Sequence, residues 1–217
     1  SNINFDTQEL LMSLFLTIHP ENPQIRLIQK ITDILKSGGI LIYPTDSVYA
    51  IGCKIGEKRA VDRIRMIRGI GRDQDFTLLC RNLSEVAKFA KVSDSDFRIL
   101  KAKTPGPVTF LLPASSSLPT RLFQPKRKVV GIRIPKNNIV MALLTELDEP
   151  LMSLTFAIKN DPYGLSDPNE IRQRFESIVD GIIDGGYCGI ELTSVVDLTG
   201  QVPKLVRMGL GDLDSIM

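Results

Sequence analysis

Three short stretches of this chain bring together the residue types that hold anions and polar small molecules. Tyr43-Pro44-Thr45-Asp46-Ser47-Val48-Tyr49 sets two small hydroxyls around an aspartate, directly after an apolar run. Loops at the carboxyl ends of strands are favoured ligand positions in α/β sheets; the competing reading is a turn whose side chains bond their own backbone. Thr104-Pro105-Gly106-Pro107-Val108-Thr109 is a proline-fixed turn in which Gly106 admits close backbone approach, and a purely rigid turn is an equal alternative. Gly131-Ile132-Arg133-Ile134-Pro135 places an arginine among apolar neighbours at strand spacing. Such an arginine points into water or lines a pocket, where its planar fork suits a carboxylate or phosphate.

The signatures of other chemistries are missing. The sequence has no GxSxG, HExxH, Walker A or GxGxxG pattern. Its single histidine, His19, stands near the start. Gly69-Ile70-Gly71 follows a helical stretch and reads as a helix-ending turn. Cys53, Cys80 and Cys188 are widely spaced, without a CxxC pair, which argues against zinc and fits a reducing cytosol. Covalent catalysis by serine, cysteine or histidine is therefore disfavoured.

Basic residues cluster in three places: Arg59, Arg63, Arg65, Arg68 and Arg72 in one helix and its exit, Lys126-Arg127-Lys128, and Lys101 with Lys103. A charged helical face is usually solvated, and that reading holds for Arg59 and Arg63. Arg68 and Arg72 sit at a glycine-rich helix end, where a pocket is more plausible. Few aromatics interleave, so base stacking is not indicated, whereas contacts to RNA phosphates are compatible. The net charge of +2 over 217 residues carries no argument for nucleic acid by itself.

The elements that must position these residues follow from apolar periodicity. Helices are predicted over Ile25–Ser37, Glu57–Arg68, Ser84–Ala90, Ser93–Lys101, Asn138–Leu147 (capped by Asn138) and Asp167–Ile178 (capped by Asp167, with Pro168 in the first turn). Strands are predicted over Ile40–Tyr43, Phe76–Cys80, Val108–Leu112, Val129–Ile134, Leu151–Ala157, Asp180–Ile183, Ser194–Leu198 and Lys204–Arg207. Strands alternate with helices early and cluster late, which predicts one α/β (α+β-like) domain with a mixed sheet. Hydrophobic residues at 43% suffice for its core. No apolar run reaches membrane-spanning length, so a cytoplasmic protein without a membrane partner is expected. Ser1-Asn2 reads as an expression-vector scar and Met12 as a natural start. Residues 1–16 are taken as an N-terminal extension and 17–217 as the domain.

Taken together, YPTDSVYAIGC (43–53), TPGPVTFLL (104–112), GIRIP (131–135) and TSVVDLTG (193–200) resemble the YrdC/YciO family in order and spacing. IHPENPQIRLIQ near the start and RMGLGD near the end are similar to its YciO branch. The resemblance implies a twisted mixed sheet with flanking helices and a basic concave face. It implies a nucleotide-binding enzyme of the L-threonylcarbamoyladenylate synthase type, a nucleotidyltransferase that combines threonine, bicarbonate and ATP with Mg²⁺ for threonylcarbamoyladenosine modification of tRNA, without a prosthetic group or resident metal. No side chain is assigned a catalytic role. Thr45, Ser47, Tyr49, Thr109, Arg133, Ser153 and Thr155 are then candidates for substrate binding, with Arg133 facing the threonine carboxylate. Arg68, Arg72, Thr193, Ser194 and Arg207 are candidates for the nucleotide.

The sequence departs from the synthases in two elements. Their Lys-x-Arg pair corresponds to Arg68-Gly69-Ile70, and their Ser-x-Asn to Thr155-Phe156-Ala157, where losing the Asn removes both a donor and an acceptor. These changes imply weakened or redirected activity. A non-catalytic binder of double-stranded RNA or tRNA using the same concavity, and a small-anion sensor, stay open as alternatives. A monomer or homodimer is expected.

Overall fold

The computed structural model describes residues 13–72, 74–119, 128–156 and 165–216. Ten strands form one sheet: β1 (Leu14–Thr17), β2 (Leu41–Tyr43), β3 (Ala50–Lys54), β4 (Thr77–Leu79), β5 (Val108–Pro113), β6 (Val129–Arg133), β7 (Leu151–Thr155), β8 (Gly181–Asp184), β9 (Ser194–Asp197) and β10 (Lys204–Arg207). Their order across the sheet is β1-β8-β2-β3-β7-β4-β6-β5-β9-β10. Parallel pairs (β1·β8, β2·β8, β4·β6, β5·β9) are interspersed with antiparallel ones. Six helices pack on the sheet among the described residues: α1 (Ile25–Lys36), α2 (Lys58–Arg68), α3 (Leu83–Phe89), α4 (Asp94–Lys103), α5 (Asn138–Leu147) and α6 (Pro168–Phe175). The expected mixed α/β domain is thus the observed one.

Strand alternation sorts side chains between two cores. On one face Leu78, Phe110, Val130, Ile132, Met152 and Val196 pack under α2, α3, α4 and α6, which contribute Ile64, Val86, Leu100 and Ile171. On the other, α1 and α5 bring Ile28, Ile31, Leu35, Ile139, Leu143 and Leu144 onto Leu41, Tyr43, Leu151 and Ile183. Each such fully buried side chain contributes roughly 1.5–3 kcal/mol of transfer free energy. The second helix pair covers only the β8-β2-β3-β7-β4 part of its face. Among the described residues no helix follows over β6, β5 and β9, and the cavity lies over this open half-face and the adjoining parts of β4 and β7.

Several local readings change. Two strands were absent from the sequence prediction. β1 straddles the 16/17 boundary, pairing in parallel with Gly181–Asp184. β3, which follows the loop that opens at Pro44, includes Gly52. That glycine is required by packing: a Cβ there would stand 2.6 Å from the Tyr43 hydroxyl and 2.7 Å from the Met152 carbonyl. The cap of α5 is Asn137, not Asn138; its side chain accepts the Val140 amide at 3.1 Å, while Asn138 reaches out to the Glu21 carbonyl. Asp167 caps α6 as expected, accepting from Asn169 N. α2 ends at Gly69 in the left-handed conformation (φ 64°), which glycine adopts without steric cost. The expected continuation of β7 to Ala157 lies outside the described residues.

The corrected cap yields a direct check. Asn137→Ala should lower unfolding free energy by about 1 kcal/mol and Asn138→Ala by about 0.5 kcal/mol or less, measured by urea denaturation. Equal losses would contradict the cap assignment.

Candidate functional site

The open half-face holds a cavity of about 430 Å³. Its floor is built by alternation. Thr77 and Leu79 of β4, Arg133 of β6, Thr109 and Leu111 of β5, Ser153 of β7 and Val195 of β9 line it, whereas their neighbours Leu78, Ile132, Phe110, Met152 and Val196 enter the core on the opposite side. Gly131 keeps the floor low: a Cβ at this position would sit 3.4 Å from Thr77 Oγ1 and 3.6 Å from both Leu111 and Thr109, in ordinary contact.

Three arginines from three elements meet around the cavity: Arg68 from the end of α2, Arg133 from β6 and Arg207 from the edge strand β10. No carboxylate is among the described lining residues. Arg207 donates from Nε to the Thr193 carbonyl at 2.9 Å and from Nη2 to Thr193 Oγ1 at 3.0 Å, and that hydroxyl lies 3.0 Å from Thr109 Oγ1. A guanidinium and two hydroxyls thus form one linked wall. Burial, and secondarily the charge of Arg133, lowers the pKa of Arg207; burial lowers that of Arg68. Crowding cations in a partly desolvated site favours an anion between them.

Ser153 accepts the Tyr43 hydroxyl at 2.6 Å, which leaves its own proton for the cavity. Tyr43 is wholly buried, and desolvation raises its pKa, so it stays a neutral donor.

Of the residues singled out in the sequence, Ser47, Arg68, Thr109, Arg133, Ser153, Thr155, Thr193 and Arg207 line this cavity together. Thr45, Tyr49, Arg72 and Ser194 do not. Thr45 is buried in its own turn, its hydroxyl donating to the Val48 carbonyl at 2.6 Å and accepting the Ser47 amide at 3.0 Å; this is the self-bonded arrangement weighed above. Tyr49 is 0% exposed and points away, donating to the Gly186 carbonyl at 2.6 Å and accepting Gly185 N at 3.2 Å. Ser194, also 0% exposed, accepts Gly209 N at 2.9 Å. Arg72 is exposed beyond the helix exit.

The basic face assigned to α2 also divides. Arg65 is buried, donating to the Gly71 and Gln74 carbonyls at 2.6 Å and lying over Phe76. Arg63 is paired with Asp180 at 2.7 Å. Lys126, Arg127 and Ala157 lie outside the described residues. Of the altered elements, Arg68 and Thr155 line the cavity and Ile70 does not.

The sequence reading assigned no site role to Thr77, Ala50, Leu192 or Asp46, although Asp46 stands in the quoted loop. Thr77 carries the only usable signal, as the polar member of an apolar strand. Asp46 pairs with Arg133, 87 positions away, and no spacing rule reveals such a partner. The RMGLGD stretch gains a physical meaning as well. A Cβ on Gly209 would lie 2.3 Å from the Leu192 carbonyl and 2.7 Å from that of Thr193. Glycine here lets the chain turn back onto the strand carrying Thr193 and hold Arg207 over it.

Among the described residues no three His, Cys, Asp or Glu side chains are grouped to hold a metal ion, and no helix is long and apolar enough to cross a membrane.

Fold and cavity together define a mixed-sheet α/β protein with an arginine- and hydroxyl-lined concave site. The family model Sua5_yciO_yrdC, described as "Telomere recombination", matches residues 33–209. The chain belongs to this Sua5/YciO/YrdC family. It is 49% identical over 201 residues to an uncharacterised protein of Haemophilus influenzae, covering 92% of this chain and 97% of that one. It is 47% identical over 206 residues to the uncharacterised protein YciO of Escherichia coli K12, covering 95% and 100%. The crystal structure of E. coli YciO superposes with a TM-score of 0.91 at 46% identity, over 95% of this chain and 100% of that chain.

A more distant relative is the threonylcarbamoyl-AMP synthase of Pyrococcus abyssi, 29% identical over 185 residues, which are 84% of this chain but 54% of that longer protein. The P. abyssi Sua5 structure complexed with L-threonine shares the fold, with a TM-score of 0.83 at 24% identity over 91% of this chain and 58% of that one.

Two predictions follow from the site's construction. Gly131→Ala should leave unfolding free energy within about 0.5 kcal/mol of wild type, whereas Gly209→Ala should cost about 1–3 kcal/mol, since rigid carbonyls occupy the space. Comparable effects in denaturant melts would contradict the geometry. The thiols give a pH signature. Burial pushes Cys188 up to about 11 and Cys53 up to about 12, from an ordinary value of 9.0. Between those values the unfolded chain releases protons that the folded chain keeps. Stability contributed by these groups is therefore complete below pH 9.0 and declines as pH rises through 11 to 12. Cys53→Ser with Cys188→Ser should flatten that alkaline decline; an unchanged slope would rule the thiols out.

Proposed function

We propose that the cavity binds the nucleotide and threonine-derived substrates of a threonylcarbamoyl-AMP synthase-type reaction. The observation that carries this reading is the convergence of Arg68, Arg133 and Arg207 with Ser47, Thr109, Ser153, Thr155 and Thr193 around one cavity, with no carboxylate among its described lining residues. Its support from relatives is the P. abyssi threonylcarbamoyl-AMP synthase, matched over 84% of this chain.

The chemistry suits such a site. The amine of threonine condenses with bicarbonate to a carbamate, releasing water, and a carbamate oxygen attacks the α-phosphorus of ATP. The bond to the bridging oxygen breaks and pyrophosphate leaves. No covalent enzyme intermediate is required; rate comes from alignment and from neutralising charge on the phosphates and carboxylate. The arginines supply that charge, and the small hydroxyls orient oxygens without adding negative charge. Mg²⁺ belongs to this scheme as part of the ATP substrate, entering with the phosphates. The neutral Ile70 and the exchange of Ser for Thr155 make a weaker or redirected version of the reaction the expected one.

Calorimetric titration with ATP and Mg²⁺, with and without threonine and bicarbonate, followed by a product assay on the same mixture, tests this. Tighter ATP binding with the co-substrates, together with adenylate product, is expected. Arg133→Ala and Arg207→Ala should each weaken binding about 10- to 150-fold, the equivalent of one charge-assisted hydrogen bond. Absence of ATP binding would defeat the proposal and leave RNA as the partner to titrate next.

A further inference from the structure

Arg133 is 7% exposed and lies in the cavity wall. Its Nη2 donates to Asp46 Oδ1, but its buried Nε has no hydrogen-bond partner among the described residues. Asp46 does not supply one, and both of its oxygens already hold other donors. Its Oδ1 is engaged by Arg133, and its Oδ2 accepts the Lys136 amide at 2.8 Å. The Asp46 side chain is itself 11% exposed and absent from the cavity lining, so it holds the guanidinium from outside the cavity.

The turn that carries Asp46 is fastened on both sides. Thr45 closes it internally through Val48 O and Ser47 N, and the Cys188 thiol donates to the Thr45 carbonyl at 3.6 Å. The next residue, Ser47, faces the cavity. One turn thus sends a carboxylate to the arginine and a hydroxyl to the ligand space.

A buried donor without an acceptor is costly, and native proteins rarely keep one without a reason. We propose that Asp46 is a positioning residue: by holding Nη2 it directs the Nε–H of Arg133 into the cavity, where that group donates to an oxygen of the bound substrate's carboxylate or phosphate. This rests on the reading of the cavity as the substrate site. The burial of Asp46 also offsets the charge of Arg133, so that Arg133 and Arg207 share one cavity without full mutual repulsion. A lysine at position 133 has no planar fork and would fulfil neither half of the arrangement.

The test is ¹⁵N NMR of the Arg133 Nε–H signal, assigned by its loss in Arg133→Lys, in wild type and in Asp46→Asn. The asparagine keeps an acceptor for the Lys136 amide and removes the charge. A sharp wild-type signal is expected, protected from exchange and shifted by L-threonine or by ATP with Mg²⁺. In Asp46→Asn the signal should broaden or exchange at least tenfold faster, and the Kd of the shifting ligand should rise at least tenfold. An unaltered signal and Kd in Asp46→Asn would overturn the positioning role. A wild-type signal that neither ligand moves would instead overturn the reading of the cavity. If Asp46→Asn does not fold, Arg133→Lys decides alone: a tenfold loss of affinity in a folded protein supports the fork, and wild-type affinity sinks it.

Discussion

The sheet has two faces, and among the described residues four helices pack on one while two cover only part of the other. That constraint organises the rest of the molecule. Where α1 and α5 lie on β8, β2, β3, β7 and β4, this face carries the buried Leu41, Tyr43, Leu79, Leu151 and Ile183, while Thr77 of β4 and Ser153 of β7 already reach the cavity. Where the same face runs on across β6, β5 and β9, uncovered by the described helices, alternate positions become Arg133, Thr109 and Val195. The opposite face of those strands is apolar apart from the buried Ser194, because helices pack against it. The cavity is therefore not carved into the core. It is the part of the sheet that the helices leave open, and the floor stays low because Gly131 adds no side chain to it.

Charge in that cavity is supplied from three distant parts of the chain and held by different means. Arg207 is braced by the carbonyl and hydroxyl of Thr193. Arg133 is braced by Asp46. Arg68 stands where α2 ends at Gly69. The braces on Arg207 and Arg133 fix two guanidiniums, and no carboxylate is among the described lining residues, so the positive potential is directed at whatever enters. Small hydroxyls fill the spaces between, and the buried Tyr43 behind Ser153 sets the direction of one of them. Arginine forks and hydroxyls placed this way match oxyanions of fixed geometry better than a flexible lysine surface would.

The family relationship and the cavity point the same way without being the same statement. Relatives at 47–49% identity place the chain near proteins named uncharacterised and YciO, and a synthase enters only at 29%. The differences from the synthase motifs fall partly inside the cavity, at Arg68 and Thr155, and partly outside its lining, at Ile70. A site lined by these hydroxyls and arginines is physically suited to anions.

The sequence by itself determined the six helices, eight of the ten strands and the mixed α/β class, because apolar period and capping residues are local signals. It also marked the loops and strand that bring Ser47, Thr109 and Arg133 to one cavity, because hydroxyl and arginine residues beside apolar runs stand out. It did not determine which residues of a motif face the ligand. Thr45, Tyr49 and Ser194 looked equivalent to Ser47, Thr193 and Arg207 in one dimension, yet alternation turned the first three into fasteners of the backbone. Only the tertiary structure decided that Asp46 would pair with a residue 87 positions away, that Arg65 would be buried rather than solvated, and that Gly52 and Gly209 are glycines because another strand passes where a Cβ would be. Those outcomes depend on strand order and register, which are set by which apolar faces bury one another across the whole chain, and no local spacing encodes that.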